Sequence, residues 1–281
     1  MPELPEVETV RRQLRRVMEG ARIERAETRR SGLRYPFPDR FAARLEGQRV
    51  LALRRRAKYL LAELESGETL LMHLGMSGSF RVVADGRDDT AGSFYFDRGR
   101  LDAHDHVLFA LSSGVTVVFN DPRRFGLMTI IPAGSAATHP VLSSLGPEPL
   151  GRRFDAASLA RALHGKRTTL KAALSDQRVV AGLGNIYVCE ALHRARLSPK
   201  RRASTLATAS AAPRAAANDL AGAIRAVLSE AIANRHRLQG EDRFRVYDHE
   251  GERCPRRGCR GRIKRIVQGG RSTFFCPVCQ R

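Results

Sequence analysis

The sequence predicts an α+β protein of several domains, and three observations support this prediction. A helical pattern at the N-terminus is followed by many short strand-like runs, as in a β-sandwich that carries a helix. After about residue 151 the chain becomes rich in alanine and helical in periodicity. Four of the five cysteines then lie within the last 28 residues, which predicts a separate C-terminal unit.

The N-terminal part, residues 1–131, is predicted to be a β-sandwich domain with flanking helices. Apolar residues at helical spacing predict a helix over residues 5–19, which ends near Gly20. From about residue 22 onward, short β-like runs alternate with turns that contain Gly, Ser, Asp or Asn. The clearest runs are 59–64, 69–74, 93–97, 107–111 and 115–120.

Residues 132–151 are rich in proline and glycine, which predicts a linker. Residues 152–240 follow as a helical domain. Asp155 is suited to cap a first helix that carries Leu159 and Leu163. Further helices are predicted near 168–175, from Asn185 onward, and over 213–233.

The net charge points to an anionic polymer as partner. Lys and Arg number 49 against 29 Asp and Glu, a balance of +20, which favours nucleic acid. Membranes are the competing anionic surface, but no apolar run has membrane-spanning length and no secretion signal is recognisable. We therefore expect a soluble cytoplasmic protein. With 6% aromatic residues and no Trp, extensive stacking of bases on aromatic side chains is not expected.

The C-terminal part, residues 245–281, has the cysteine spacing of a zinc ribbon. Cys254-x4-Cys259 is followed after sixteen residues by Cys276-Pro-Val-Cys279. Two close pairs around a hairpin-sized insert match one tetrahedral zinc ion held by four thiolates. Strand-like runs at 262–268 and 272–275 flank a Gly269-Gly270 turn. Because sulfur fills all four positions, we expect a structural site.

The first residues, Met1-Pro2-Glu3, permit amine chemistry if Met1 is removed. An α-amino group titrates near about 7.7–8.0, so a useful fraction is uncharged at neutral pH and is nucleophilic. Glu3 is placed to move protons. The plain alternative is a helix start rich in Pro and Glu, which suits the positive end of a helix dipole.

Several inner motifs allow both a structural and a nucleic-acid interpretation. Gly182-Leu183-Gly184-Asn185 opens a helix, so its N–H groups can approach a phosphate and Asn185 can cap the helix. The turn at 120–126 places Phe125 beside two arginines, which suits a base wedge. Met76 after a strand is a second possible wedge, and the cations at 54–58 are suited to a phosphate. Each alone is more typical of a turn, a core residue or a solvated edge.

Taken together, these motifs resemble the bacterial formamidopyrimidine-DNA glycosylase family. The resemblance covers nearly the whole chain in the family's order. It is carried by Pro2-Glu3-Leu4-Pro5-Glu6-Val7-Glu8-Thr9-Val10-Arg11-Arg12, Arg55-Arg56-Ala57-Lys58-Tyr59-Leu60-Leu61, His73-Leu74-Gly75-Met76-Ser77-Gly78, Asp121-Pro122-Arg123-Arg124-Phe125-Gly126, Gly182-Leu183-Gly184-Asn185-Ile186-Tyr187 and Gly270-Arg271-Ser272-Thr273.

The resemblance implies a β-sandwich, a helix–two-turns–helix domain and a zinc ribbon that together bind damaged double-stranded DNA. It implies a bifunctional glycosylase and lyase of base-excision repair that acts as a monomer, without a nucleotide cofactor, near the bacterial nucleoid. The implied catalytic residues are Pro2 as nucleophile, Glu3 as proton donor, Lys58 for the first elimination and Arg271 for the second. The implied DNA contacts are His104, Arg123, Lys166 and Asn185, and the void-filling residues are Met76, Arg123 and Phe125.

The chain departs from the family pattern in two places. The first cysteine pair is Cys-x4-Cys, where many relatives have Cys-x2-Cys. The segment 231–246 is shortened and lacks the Gly-rich and Gly-Tyr-Phe stretches of the loop that covers an everted 8-oxoguanine. The preference among 8-oxoguanine, formamidopyrimidines and oxidised pyrimidines therefore stays open.

Two alternatives remain at this point. The chain could be a relative of endonuclease VIII that prefers oxidised pyrimidines, although the start and the void-filling residues of that group normally differ. It could also be a zinc-ribbon DNA-binding protein without enzymatic activity. Strand scission of lesion-containing duplexes separates these possibilities.

Overall fold

A computed structural model describes residues 2–84, 102–234 and 244–281, together with the backbone of residues 87–91. The predicted strand at 93–97 and most of the shortened segment, 235–243, lie outside the described residues. The chain divides into two units, Met1–Ser143 and Ser144–Arg281. The division falls inside the segment 132–151, for which the sequence predicts a linker.

The first unit begins with a helix and continues mainly with strands. Its elements are α1 (Leu4–Met18), β1 (Ile23–Thr28), α2 (Phe41–Leu45), β2 (Val50–Arg56), β3 (Tyr59–Leu64), β4 (Thr69–His73), β5 (Ser79–Ala84), β6 (Arg87–Ala91), β7 (Asp105–Leu111), β8 (Thr116–Asn120), β9 (Leu127–Ile131) and α3 (Pro140–Ser143). A short 3-10 turn at Asp102–His104 precedes β7. The predicted helix and the predicted strands within the described residues are confirmed, with ends that differ by two residues at most.

The strands of the first unit form two antiparallel sheets in the described residues. One sheet has the order β1-β7-β8-β5-β6 and the other the order β2-β3-β4-β9. Strands β2 and β3 form a hairpin in which Arg56 pairs with Tyr59, so only two residues make the turn. This tight connection places Lys58 at the hairpin tip.

One hydrophobic core lies between the two sheets, which confirms the predicted sandwich. Strands β2 and β3 contribute Leu53 and Leu60, and the other sheet contributes Phe80 and Phe109. Helix α1 adds its apolar stripe, including Leu14, to the same cluster. Each of these side chains is almost fully buried, a contribution of about 1.5–3 kcal/mol apiece to the free energy of unfolding.

The second unit is helical up to its C-terminal ribbon. Its helices are α4 (Ala156–Leu163), α5 (Leu170–Ser175), α6 (Asn185–Arg194) and α7 (Ala215–Ala233). The predicted cap is confirmed, because Asp155 Oδ1 accepts from the Ser158 N–H at 2.7 Å. Helix α5 starts two residues later than predicted, because Thr169 caps it. Across the described residues, no helix combines the length and the hydropathy that spanning a bilayer requires.

The predicted ribbon hairpin is confirmed as β10 (Lys264–Gln268) paired with β11 (Arg271–Phe275). The sequence predicts the ribbon as a separate domain, whereas in the structure it lies in the same unit as the helices. Cys189 of α6 packs in one apolar cluster with Phe274 and Cys276. Cys189 is buried, as expected of a small core residue.

Candidate active site and nucleic-acid interface

Pro2 and Glu3 lie buried at the start of α1. Glu3 is the residue before the first helical turn, and its N–H donates to Glu6 Oε2 at 2.9 Å. The two glutamates form a capping box, in which each side chain accepts from the backbone of the other. Local sequence therefore fixes the conformation of the chain end that would carry the amine.

Lys58 is 6% exposed at the tip of the β2–β3 hairpin. The preceding Ala57 has φ of 53°, a left-handed conformation that a two-residue turn demands and a non-glycine residue rarely adopts. Arg55 stabilises this turn by donating to the Ala57 carbonyl at 2.9 Å, and it also donates to Glu8 Oε2 at 3.2 Å. The hairpin tip is thus tied to α1, the helix that begins beside Pro2.

Glu8 is the residue of α1 through which the hairpin and the helix are connected. Burial acts to raise the pKa of Glu8, but hydrogen bonds from Arg11 and Arg12 and the charges of Arg11 and Arg55 outweigh it and lower the pKa to about 2. The carboxylate is therefore ionised at every physiological pH and holds three arginines at 2.8–3.2 Å.

Met76 and Phe125 lie on two turns that pack against each other. Gly75 has φ of +62°, and a Cβ there would lie 2.4 Å from the Phe125 carbonyl carbon. Only glycine permits this approach. Both apolar side chains stay accessible, Met76 at 40% and Phe125 at 44%, although large apolar residues in this unit are otherwise mostly buried. The Arg123 guanidinium lies over the Phe125 ring at 4.7 Å from its centroid.

Asp121 fastens these two turns together. Its carboxylate is fully buried and accepts from Ser77 Oγ at 2.5 Å and from the Gly126 N–H at 2.7 Å. Ser77 Oγ in turn accepts from the Arg123 N–H at 3.3 Å. The sequence motifs indicate no separate role for Asp121. An Asp directly after a strand and before Pro is a signal for such a turn.

Two histidines adjoin these turns. His104 is half-buried, and its carbonyl accepts from the Asp121 N–H at 3.0 Å. His73 accepts at Nδ1 from the Gly75 N–H at 2.9 Å. Burial, followed by the charges of Lys58 and Arg34, lowers the pKa of His73 to about 4. His73 is therefore a neutral hydrogen-bond acceptor.

In the second unit, the glycine motif precedes α6 as predicted, with one correction. Asn185 was expected to cap the helix, but Gly184 occupies the capping position and Asn185 is the first helical residue. The Asn185 side chain points elsewhere, because its Nδ2 donates to the Ser272 carbonyl of β11 at 2.9 Å. Its Oδ1 is buried and has no hydrogen-bond partner among the described residues.

Gln177 determines the shape of the turn before α6. Its Oε1 accepts from the Gly182 N–H at 2.8 Å, and its Nε2 donates to the Leu183 carbonyl at 2.7 Å. Gly182 has φ of +83°, so the chain needs a glycine here. Gln177 is not recognisable from the sequence, because a lone glutamine between helices belongs to no motif.

Lys166 and Arg271 lie at other points of the same unit. Lys166 is half-buried between α4 and α5, and its positive charge helps to lower the pKa of Asp176 after the Arg178 hydrogen bond. Arg271 is exposed at the start of β11, directly after two glycines with positive φ. Lys171 of α5 donates to the Gln268 carbonyl of β10 at 3.2 Å, and Asn185 of α6 donates to β11 as described above. Side chains from two helices therefore hold the two strands on either side of the turn before Arg271.

The four C-terminal cysteines converge on one point. The Sγ atoms of Cys254 and Cys279 lie 3.8 Å apart, those of Cys259 and Cys276 lie 3.7 Å apart, and all four lie within 4.8 Å of one another. Tetrahedral zinc with Zn–S bonds of about 2.3 Å requires S···S distances of about 3.8 Å. The residues present therefore fit zinc, and the longer Cys-x4-Cys loop does not disturb the set.

Three family descriptions match successive parts of the chain. They are the formamidopyrimidine-DNA glycosylase N-terminal domain over residues 1–128, the formamidopyrimidine-DNA glycosylase H2TH domain over 145–240, and the zinc finger found in FPG and IleRS over 251–281. With the thiolate geometry above, the last match establishes that the four cysteines hold one structural zinc ion.

Relatives of known name cover the full length. Formamidopyrimidine-DNA glycosylases from Bradyrhizobium sp. (strain ORS 278) and Azorhizobium caulinodans are 60% and 58% identical, with 100% of each chain covered. The crystal structure of MutM (Fpg) from Thermus thermophilus matches with a TM-score of 0.80 at 38% identity, over 99% of this chain and 98% of that one. Lactococcus lactis Fpg bound to DNA that contains an abasic site matches with a TM-score of 0.82 at 30% identity, over 100% of both chains. The chain therefore belongs to the formamidopyrimidine-DNA glycosylase family, whose members are DNA glycosylases of base-excision repair.

Proposed function

We propose that this chain is a bifunctional DNA glycosylase and apurinic/apyrimidinic lyase. It removes the oxidised purines formamidopyrimidine and 8-oxoguanine, and it cuts the strand by β,δ-elimination. The observation that supports this best is the buried Pro2–Glu3 terminus, whose helix is tied through Glu8 and Arg55 to the hairpin tip at Lys58. An amine, a carboxyl group and a buried lysine in one domain are the groups that covalent amine catalysis needs.

The chemistry begins with attack by the Pro2 nitrogen on C1′ of the damaged nucleotide. The N–C1′ bond forms, and the glycosidic bond breaks with its electron pair leaving on the base, which takes up the proton that the Pro2 nitrogen loses. Glu3 delivers a proton to the sugar oxygen, so the ring opens and the iminium ion forms. The iminium acidifies the C2′ proton, whose removal expels the 3′ phosphate with assistance from Lys58. A second elimination, assisted by Arg271, expels the 5′ phosphate.

The target nucleotide must leave the base stack before this attack, because C1′ is not accessible inside a duplex. We assign Met76, Arg123 and Phe125 to the space that the nucleotide leaves. The Met76 and Phe125 side chains support this assignment, because they are accessible and lie on turns held by Asp121. Apolar side chains that insert into a duplex offset the few kcal/mol that unstacking of the bases costs. Arg123, held against Phe125, faces the orphaned cytosine.

Contacts with the phosphates complete the assignment. His104 and Arg123 bind DNA from the first unit, and Lys166 and Asn185 bind it from the second. For Asn185, the support is its place in the first turn of α6 behind Gly184, where backbone N–H groups and the helix dipole favour an anion.

Borohydride trapping tests the central step. Reduction during turnover of a duplex with 8-oxoguanine opposite cytosine should give a covalent protein–DNA adduct, and peptide mapping should place the DNA on the Pro2 nitrogen. Pro2→Gly should lose excision of the base at least a hundredfold. Pro5→Ala, which alters the same helical turn but keeps the amine, should retain the adduct. Attachment of the DNA to a lysine such as Lys58 would exclude the proposed nucleophile.

The lesion range needs its own experiment. MutM bound to DNA with carbocyclic 8-oxo-G and a Lactococcus lactis Fpg mutant bound to Fapy-dG DNA support oxidised purines, at 30% identity to this chain. The alignment with the Bradyrhizobium protein spans 293 positions against 281 residues here, a difference of 12, which is in line with a shortened loop. Single-turnover rates should be higher for both purine lesions than for thymine glycol. The opposite order would support the endonuclease VIII-like alternative.

We also propose that the enzyme acts as a monomer, needs no nucleotide cofactor and works on nucleoid DNA in the cytoplasm. Every step above uses groups of this chain and the substrate alone. Sedimentation of the purified protein with and without a lesion duplex should give a 1:1 complex, and cleavage should proceed in buffer without added nucleotide.

A further inference from the structure

The zinc site carries a buried negative charge that the four cysteines alone do not neutralise. Four thiolates around one Zn²⁺ leave a net charge of −2. Cys254 is 6% exposed and Cys276 is fully buried, so water reaches little of the charge on these two thiolates. Buried charge is costly unless hydrogen-bond donors surround it. The donors that contact the sulfur atoms therefore bear directly on how firmly the metal is held.

Donors to these sulfurs come from the ribbon and from outside it. Within the ribbon, the Gly261 N–H donates to Cys259 Sγ at 3.4 Å. From α6, His193 places Nε2 at 3.4 Å from Cys254 Sγ. His193 is 1% exposed, and its Nδ1 has no hydrogen-bond partner in the described part of the chain. A thiolate is an acceptor only, so Nε2 must carry the proton in this contact.

Arg256 connects the Cys254–Cys259 loop to the same helix. Its guanidinium donates to the carbonyls of His193 and, at 3.4 Å, Arg194. Those carbonyls belong to the last turn of α6, where the helix dipole favours a cation. The loop of four residues thus supplies a cation that contacts the end of the helix.

We propose that His193 donates its Nε2–H to the zinc-bound thiolate of Cys254 and is a positioning residue for the metal. These contacts connect the zinc ion to the C-terminal turn of α6, the helix that begins at Asn185. The zinc site is then held by the helical part of the second unit as well as by its own ribbon. The inference depends on zinc occupancy and not on the roles assigned to Pro2 or Lys58.

Zinc release from full-length variants tests the inference. His193→Phe keeps an aromatic ring but removes the donor, and His193→Gln keeps an N–H near the position of Nε2. Transfer of zinc to a chromophoric chelator should be about 10- to 100-fold faster for His193→Phe than for the unchanged protein. His193→Gln should restore most of the retention. His249→Gln, whose ring contacts Glu252 instead of a thiolate, should release zinc at the unchanged rate.

A second measurement uses the unchanged sequence, so it does not depend on a variant that folds. In full-length protein with ¹¹³Cd in place of zinc and ¹⁵N-labelled histidine, the His193 Nε2 proton should show scalar coupling to the cadmium through Cys254 Sγ. Protonation at Nδ1 instead, or an Nε2 proton without this coupling, would overturn the proposal. Equal zinc release from His193→Phe and the unchanged protein would overturn it as well.

Discussion

Asp121 is fully buried, yet both of its carboxylate oxygens accept hydrogen bonds, one from Ser77 and one from Gly126. The turn of Met76 and the turn of Phe125 therefore share one acceptor. Asp121 thereby holds together the two turns that carry the accessible apolar side chains. Their orientation depends on hydrogen bonding, since burial cannot fix an exposed side chain.

We expect Asp121→Asn to lower the free energy of unfolding of the first unit by about 1–3 kcal/mol, because an amide cannot accept at both positions. Insertion into the duplex should slow as well, measured by stopped-flow fluorescence of 2-aminopurine beside the lesion. Asp155→Asn is the control, since Asn also caps a helix well and should change neither quantity. Unchanged insertion by Asp121→Asn would contradict the bracing role.

Gly261 is required by contact and not by its backbone conformation. A Cβ at this position would lie 2.5 Å from Cys276 Sγ. We expect Gly261→Ala to displace the thiolate and lower the zinc content of the purified protein, as measured by atomic absorption. The control is Gly222→Ala in α7, where a Cβ meets nothing within 4 Å and should stabilise the helix by about 0.5–1 kcal/mol. Full zinc occupancy in Gly261→Ala would show that the ribbon adapts.

At the scale of elements, α1 and the β2–β3 hairpin form one assembly through Glu8. The ion pairs lie on a partly buried surface, where charges are screened less than in open solvent. The assembly connects the helix that starts beside Pro2 with the turn that carries Lys58. Sequence periodicity predicts both elements but not the tie between them.

This tie makes stability depend on pH in a defined window. The pKa of Glu8 is lowered from 4.5 to about 2 in the fold, so its stabilising effect is complete above pH 4.5 and is lost as the pH falls towards 2. The shift corresponds to a contribution on the order of 3 kcal/mol. Glu8→Gln should remove this part of the acid dependence in urea unfolding measured from pH 6 to pH 3. Glu24→Gln, at an exposed position of β1, should retain it.

For the whole molecule, the excess of positive charge is the property that bears most directly on the affinity for DNA and on its salt dependence. The chain carries +20, and the described ion pairs use only part of its arginines. Binding through phosphates releases counterions, so affinity depends steeply on salt. With about six phosphates contacted, affinity for a lesion duplex should fall by roughly 10³ between 50 and 200 mM salt.

Fluorescence anisotropy with a labelled duplex measures this slope directly. Lys166→Met should weaken binding and reduce the slope by about one contact. Arg25→Met, at a position on β1 that no role is assigned to, provides the comparison. A fall of less than tenfold over the same salt range would show that base and sugar contacts dominate binding.

The order of the domains, several element boundaries, the zinc ligands and the family can be read from the sequence. Apolar periodicity identifies α1, the glycine motif identifies the start of α6, and the close cysteine pairs identify the metal because ligand spacing is a local property. The Pro2–Glu3 terminus is likewise recognisable from adjacent residues. Asn185 was recognised as the start of a helix, but its side chain was wrongly expected to cap it.

The distant residues that hold these groups in place are visible only in the folded structure. Asp121 contacts Ser77, Glu8 contacts Arg55, Gln177 shapes the turn before α6, and His193 reaches Cys254 from a helix 61 positions away along the chain. None of these pairs has a fixed spacing, because sheet pairing and helix packing bring them together after the local elements form. The sequence around a single polar residue does not indicate which distant residue it contacts. Its role can therefore be assigned only once the fold is known.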